Sequence, residues 1–162
     1  MNDKQIRFLE EARRNVKENK KLFNRLAKKK KIDDVFHALH KQVFAKTDCL
    51  TCGNCCRTTS PIFRDVDIER IAKHVGMRVA EFTDKYLHMD EMRDWVLNSS
   101  PCSFLNLDDN TCNIYDVRPK ACREYPHTDR KNMTQIMSLT FRNTLVCPAV
   151  AEMAQSLKLT EG

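Results

Sequence analysis

The chain has 162 residues, 41% of them hydrophobic and 31% charged, with a formal net charge of +6. That length and composition fit a folded domain with a real core and exclude a disordered chain. No apolar run approaches the roughly 20 residues of a membrane span. The opening MNDKQIRFLEEARR lacks the apolar stretch of a secretory signal, so a cytoplasmic protein is expected.

The first predicted elements are helices. Residues 1–46 contain no Gly or Pro and are rich in Lys, Arg, Glu, Leu and Ala. Leu9, Val16 and Phe23 recur at seven, with Ala12, Asn19 and Leu26 between them, which makes one apolar helix face. After Lys28–Lys31 a second period runs through Ile32, Val35, Phe36, Leu39 and Val43. Asp33 and Asp34 fall in its first turn, where the helix dipole favours negative charge. Helices over 4–29 and 32–46 are predicted, meeting at the lysine run. This segment carries 14 Lys/Arg against 6 Asp/Glu, a net of +8; the remainder carries 14 against 16, a net of −2. Such a basic stretch can contact nucleic acid or acidic lipid. Glu10, Glu11 and Glu18 interrupt the positive field, so a solvated face around a helix corner is preferred and nucleic acid is not favoured as a partner.

Next comes CLTCGNCC, from Cys49 to Cys56, a loop by its composition. Asp65 is a plausible N-cap for a helix bearing Ile68, Ile71, Ala72 and Val75, with Gly76 as its C-cap. Val79, Phe82, Tyr86 and Leu87 mark another helix, completing an αα-hairpin. Trp95–Leu97 reads as a strand. Cys102–Leu107 and Thr111–Tyr115 flank Asp108-Asp109-Asn110 and read as a β-hairpin. A helical turn follows Asp116 and carries Cys122. Residues 133–146 fit either strand or helix. A last helix is predicted over 148–158. The expected fold is α+β and mainly helical: a small cysteine-rich, metal-centred domain with a short β-hairpin over 47–162, preceded by a basic amphipathic helical hairpin over 1–46.

Eight cysteines carry the chemistry: Cys49, Cys52, Cys55, Cys56, Cys102, Cys112, Cys122 and Cys147. In a reducing compartment such a set reads as metal ligands before disulfides. Thiolates bind zinc, iron–sulfur clusters and copper(I). Paired cysteines two residues apart can direct both sulfurs at one metal. Adjacent Cys55 and Cys56 have diverging Cβ vectors and are expected to serve different centres, or different atoms of one polynuclear centre. Cys49, Cys52 and Cys55 follow the C-x2-C-x2-C spacing of bacterial ferredoxins, and Cys147 precedes Pro148. One division is therefore a [4Fe–4S] cluster on Cys49, Cys52, Cys55 and Cys147, with Cys56, Cys102, Cys112 and Cys122 forming a second site of iron–sulfur or zinc. Other divisions fit the spacing, and Zn²⁺ in four-cysteine sites is the rival cofactor. Arg57, Arg118 and Arg123 lie within four residues of a cysteine and are candidates to neutralise the thiolates. His127 is a weaker ligand candidate. His37, His40, His74 and His88 read as structural or exposed.

CLTCGNCCR, then DVDIERIAKHVGM, then PCSFL and TCNIYDVRPKACREYP, occur in an order that resembles the YkgJ-type cysteine-cluster (CxxCxxCC) family. The resemblance covers roughly Cys49 to Cys147 and implies zinc or iron chelation by the eight cysteines. It implies no substrate. The function expected is a metal-chelating protein with two cysteine sites. An iron–sulfur oxidoreductase or electron carrier, and a zinc-stabilised module that binds nucleic acid or protein, are the alternatives. The three glycines leave no dinucleotide fingerprint. No enzyme motif stands apart from the cysteines, so no catalytic residue is named, and the redox or protein partner is unknown.

Overall fold

The computed structural model describes residues 1–161. In chain order the elements are α1 (Asp3–Arg14), α2 (Val16–Leu26), α3 (Ile32–Phe44), α4 (Cys49–Cys52), α5 (Asn54–Thr58), α6 (Asp65–His74), α7 (Val79–Tyr86), β1 (Leu87–Met89), β2 (Trp95–Leu97), α8 (Lys120–Glu124), α9 (Met137–Asn143) and α10 (Pro148–Glu161). Short 3-10 turns lie at Tyr115–Val117 and Met133–Ile136. The fold is mainly helical α+β, with one two-stranded antiparallel sheet among the described residues. No described helix is long and apolar enough to cross a membrane. The chain forms two units, Met1–Cys52 with Pro126–Gly162, and Gly53–Tyr125.

In the first unit, the apolar period of the N-terminal segment becomes the core. Leu9 and Ala12 of α1 are buried with Ala151 of α10. Leu22, Phe23 and Leu26 of α2 join Phe36 and Val43 of α3, Met133 and Met137, and Met153 and Leu157 of α10. Asn2 and Gln5 cap α1 reciprocally, the Gln5 amide donating to Asn2 Oδ1 at 2.9 Å and the Asn2 amide to Gln5 Oε1 at 3.0 Å. The single helix expected over 4–29 is broken at Asn15, whose backbone (φ −103°, ψ 27°) leaves the helical range. Asparagine is a poor interior helix former, so the break falls there. Lys31 takes a left-handed conformation before α3. Asp33 lies in the first turn of α3, as expected, and its carboxylate accepts the amides of Asn132 and Met133, at 2.6 and 2.8 Å. That anchor starts the 3-10 turn and α9, so the stretch that fits strand or helix by pattern is helical.

The second unit is built on α6 and α7. Arg64, not Asp65, is the N-cap of α6, and Asp67 three residues on accepts the Arg64 amide at 3.3 Å. Gly76, at φ +69°, ends that helix and turns the chain into α7. β1 and β2 pair with Leu87 opposite Leu97, His88 opposite Val96 and Met89 opposite Trp95. Leu87 and Leu97 face a core of Phe63, Ile68, Ile71, Ala72, Phe82, Phe104 and Ile114. The longer hairpin is therefore at 87–97, and the one expected over 102–115 forms only at its centre, where the Asn106 amide donates to Thr111 O at 2.8 Å and the Asn113 amide to Phe104 O at 2.9 Å. In the latter stretch a single bridge joins Leu105 to Cys112. Local turns begin at each cysteine, with the Leu105 amide bonded to Cys102 O at 3.0 Å and the Tyr115 amide to Cys112 O at 3.1 Å. Those turns use the groups a longer ladder would need.

Candidate metal centre

Among the described residues no disulfide joins any of the eight cysteines. In the second unit, Cys55 and Cys56 sit on α5, which Gly53 opens in a left-handed conformation at φ +57°. The sulfurs of Cys55 and Cys56 are 3.9 Å apart, so the diverging Cβ vectors do not separate them. The Cys102 amide donates to Cys56 O at 2.8 Å, tying the two cysteine segments together at the backbone. Cys112 is held across the Leu105 bridge. Cys122 lies in α8, its amide on Pro119 O at 3.0 Å. Three separate segments thus bring Cys56, Cys102, Cys112 and Cys122 into one electrostatic neighbourhood, with Cys55 beside Cys56. Charge on Cys56 acts on Cys102, Cys112 and Cys122 alike.

The electrostatics differ across this group. Burial, reinforced by the neighbouring sulfurs, pushes the Cys102 thiol up to about 11 and Cys122 up to about 12. Burial also raises Cys112, against an amide bond from Ile114. Cys56 is the exception: its bond with Cys55, aided by the Arg57 charge, brings it down to about 7 against the effect of burial. The Phe104 amide points at the Cys102 sulfur from 3.5 Å. Amide donors and cations of this kind favour thiolates over thiols.

The three arginines have separate duties. Arg57 donates to Asn110 Oδ1 through Nη2 (2.6 Å) and Nε (3.2 Å), and to Leu107 O at 2.9 Å. It clamps α5 to the loop that leads into Cys112. Arg118 lies over the Tyr115 ring, 3.7 Å from its centroid, and its charge favours the thiolates of Cys112 and Cys122. Arg123 donates to Arg118 O at 3.1 Å.

In the first unit, Cys49 and Cys52 stand at the two ends of the single turn α4. Asp48 starts that turn by accepting the Leu50 amide at 2.9 Å. Three residues apart on a helical turn, their side chains lie on one side. Cys147 immediately precedes Pro148, the first residue of α10. Burial, with Cys52 and Cys49 adding to it, pushes its thiol up to about 12; the amides of Ala149 and Val150 at the helix start oppose that rise. Charge on Cys49 and Cys52 is thus felt at Cys147.

Three of the five histidines serve other contacts. His37 Nε2 meets Arg130 O at 2.9 Å, His40 Nδ1 meets Thr128 Oγ1 at 2.8 Å, and His88 Nδ1 meets Asn98 Oδ1 at 3.1 Å. Among the described residues, no group of three or more His, Cys, Asp or Glu side chains is already arranged to hold a metal ion. The donor set is nonetheless of the right chemistry: soft thiols, gathered from distant parts of the chain, with amide donors aimed at sulfur.

Two features of the site are absent from the motif-level reading. One is the Gly53–Asn110–Arg57 clamp. The other is Asp67, a fully buried carboxylate on α6. Asp67 falls four residues before Ile71, on the apolar face of its helix; a charge there is the signal that pattern reading offers.

A family model described as "Putative zinc- or iron-chelating domain", CxxCxxCC, matches residues 48–142, more than half of the chain. The match ends before Cys147, which the resemblance in sequence includes. No solved structure matches the chain.

Proposed function

This chain belongs to the CxxCxxCC family, and from that premise we propose that it is a metal-chelating protein with two cysteine-ligated centres. Cys56, Cys102, Cys112 and Cys122 supply a four-thiolate centre in the second unit. Cys49, Cys52 and Cys147 supply ligands to the other. The observation that carries this reading is the convergence of four thiols from α5, the 102–112 loop and α8, far apart in sequence, into one electrostatic neighbourhood. A bound zinc ion would staple these short segments; an iron–sulfur cluster would add electron transfer. The protein's part is to hold the backbone of each ligand, aim amide donors at sulfur and keep every thiol but the exposed Cys49 half-buried from water. Cysteines outside disulfides in such number fit a reducing compartment, so we place the protein in the cytoplasm.

Metal analysis with a visible spectrum, on protein purified without oxygen, tests the proposal. About two zinc ions per chain, or iron with acid-labile sulfide and absorbance near ~400 nm, is the expected result. Iron–sulfur absorbance bleached reversibly by dithionite would favour an electron carrier. Protein that binds neither metal stoichiometrically, and keeps its fold in chelator, would overturn the proposal.

A further inference from the structure

Asp67 has no solvent exposure. A buried carboxylate costs several kcal/mol unless its oxygens are well bonded, so its partners show what it holds. Oδ2 accepts Arg64 Nε at 3.0 Å and the Arg64 amide at 3.3 Å. Oδ1 accepts Arg70 Nη2 at 2.6 Å and the Lys120 amide at 3.3 Å. Arg70 continues outward: its Nε donates to Val117 O at 3.2 Å and its Nη2 to Arg118 O at 3.1 Å. The pair therefore grips the chain on both sides of Pro119, two carbonyls before it and one amide after it. Pro119 O in turn accepts the amides of Cys122 and Arg123, at 3.0 and 3.1 Å, and so starts α8. A five-residue helix does not hold itself in place. The path from α6 to the Cys122 thiol runs through these bonds.

We propose that Asp67 and Arg70 are positioning residues of the second-unit metal centre, fixing the 117–120 turn so that the Cys122 thiol meets those of Cys56, Cys102 and Cys112. The inference rests on the four-thiolate reading of that centre. A carboxylate that merely capped α6 would need only the Arg64 amide. The bonds to Lys120 and, through Arg70, to Val117 and Arg118 reach into the ligand loop itself.

The test compares the full chain with its Asp67→Asn and Arg70→Lys variants, each loaded with Co²⁺. Three quantities are read: Co²⁺ affinity, the intensity of thiolate-to-cobalt charge transfer, and the alkylation rate of each cysteine by mass spectrometry. Loosening an outer partner of a ligand typically weakens metal binding by roughly 10–100-fold. Both variants are expected to weaken binding in that range and to lose one thiolate's share of the charge-transfer band. Cys122 alone of the four should become rapidly alkylated. Arg70→Lys keeps the charge beside Asp67 but not the planar fork, so it isolates the grip on the turn. Wild-type affinity with Cys122 still protected in both variants would overturn the proposal. So would even exposure of all four thiols, the mark of a merely structural role. If the wild-type chain itself protects none of the four, the four-thiolate reading fails first, and the variants are not needed to show it.

Discussion

Replacing Gly53 with alanine tests the way the cysteine loop is built. Gly53 is at φ +57°, where an L side chain costs about 1–2 kcal/mol. Space is the second obstacle: a Cβ would lie 2.6 Å from Asn110 Oδ1 and 2.8 Å from its Cγ. Asn110 cannot move freely, because it is itself left-handed at φ 61° and its Oδ1 accepts two bonds from Arg57. Displacing it forfeits hydrogen bonds to a charged group, about 1.5–3 kcal/mol. The expected destabilisation of Gly53→Ala is therefore about 2.5–5 kcal/mol. Gly76 supplies the control. It has a similar φ, +69°, and a Cβ added there would meet nothing within 4 Å, so Gly76→Ala should cost only the backbone share, about 1–2 kcal/mol. Urea unfolding followed by far-UV circular dichroism measures both. In an Asn110→Gly background the added cost of Gly53→Ala should fall to the value seen at Gly76. Equal costs for the two glycine variants in the native background would refute the clamp.

Phe82→Ala removes a ring with no solvent exposure, stacked on Phe104 at 6.0 Å and tilted against Tyr86 at 5.1 Å; urea unfolding should register a loss of about 3–5 kcal/mol, and a loss under about 1 kcal/mol would contradict the core described. Acid should erode the Asp67 contribution: burial works to raise its pKa from 3.8, but the bonds from Arg64, Arg70 and Lys120 prevail and bring it to about 2. Because the folded value is the lower one, this stability is present above pH ~4 and is lost as pH falls towards ~2. With Arg64 about half exposed and its field screened, it amounts to about 1–2 kcal/mol. The gap in urea midpoint between the wild-type chain and Asp67→Asn should narrow from pH 5 to pH 2, and a constant gap would show that the carboxylate charge contributes nothing.

Local elements were legible where one physical rule dominated. The period of Ile68, Ile71 and Ala72 places them in the core of α6, and all three are buried. Trp95–Leu97 is a strand because a β-branched and an aromatic residue alternate beside a turn. The hairpin expected at 102–115 has the same turn signal but shortens to one bridge, because its cysteines start local turns of their own, a competition that residue type alone does not reveal. The break at Asn15 was hidden because the apolar stripe continues across it: Ala12 and Asn19 are both buried. The cysteines were visible as a set. Their grouping depends on bonds between segments such as Cys102 to Cys56, separated by dozens of residues, and spacing carries no information about such closures.

The ligand segments of the second unit are short, and the core under them does not fix their backbone. Cys102 and Cys112 lie against the apolar cluster, but α5 and α8 have five residues each, and a single bridge links the loop between them. What holds these segments is polar: the Cys102 amide on Cys56, Arg57 on Asn110 and Leu107, and Asp67 with Arg70 on residues 117–120. Such bonds set where each Cα stands and leave the sulfurs to light contacts, such as an amide donor at Cys102 and the Cys55 sulfur at Cys56. A thiol rotates about a single bond at little cost, whereas moving its backbone would break a clamp. The division of labour follows. The protein's own bonds place four cysteine backbones, and a chelated metal would complete the site by drawing in the sulfurs, with its binding energy added to that of the fold.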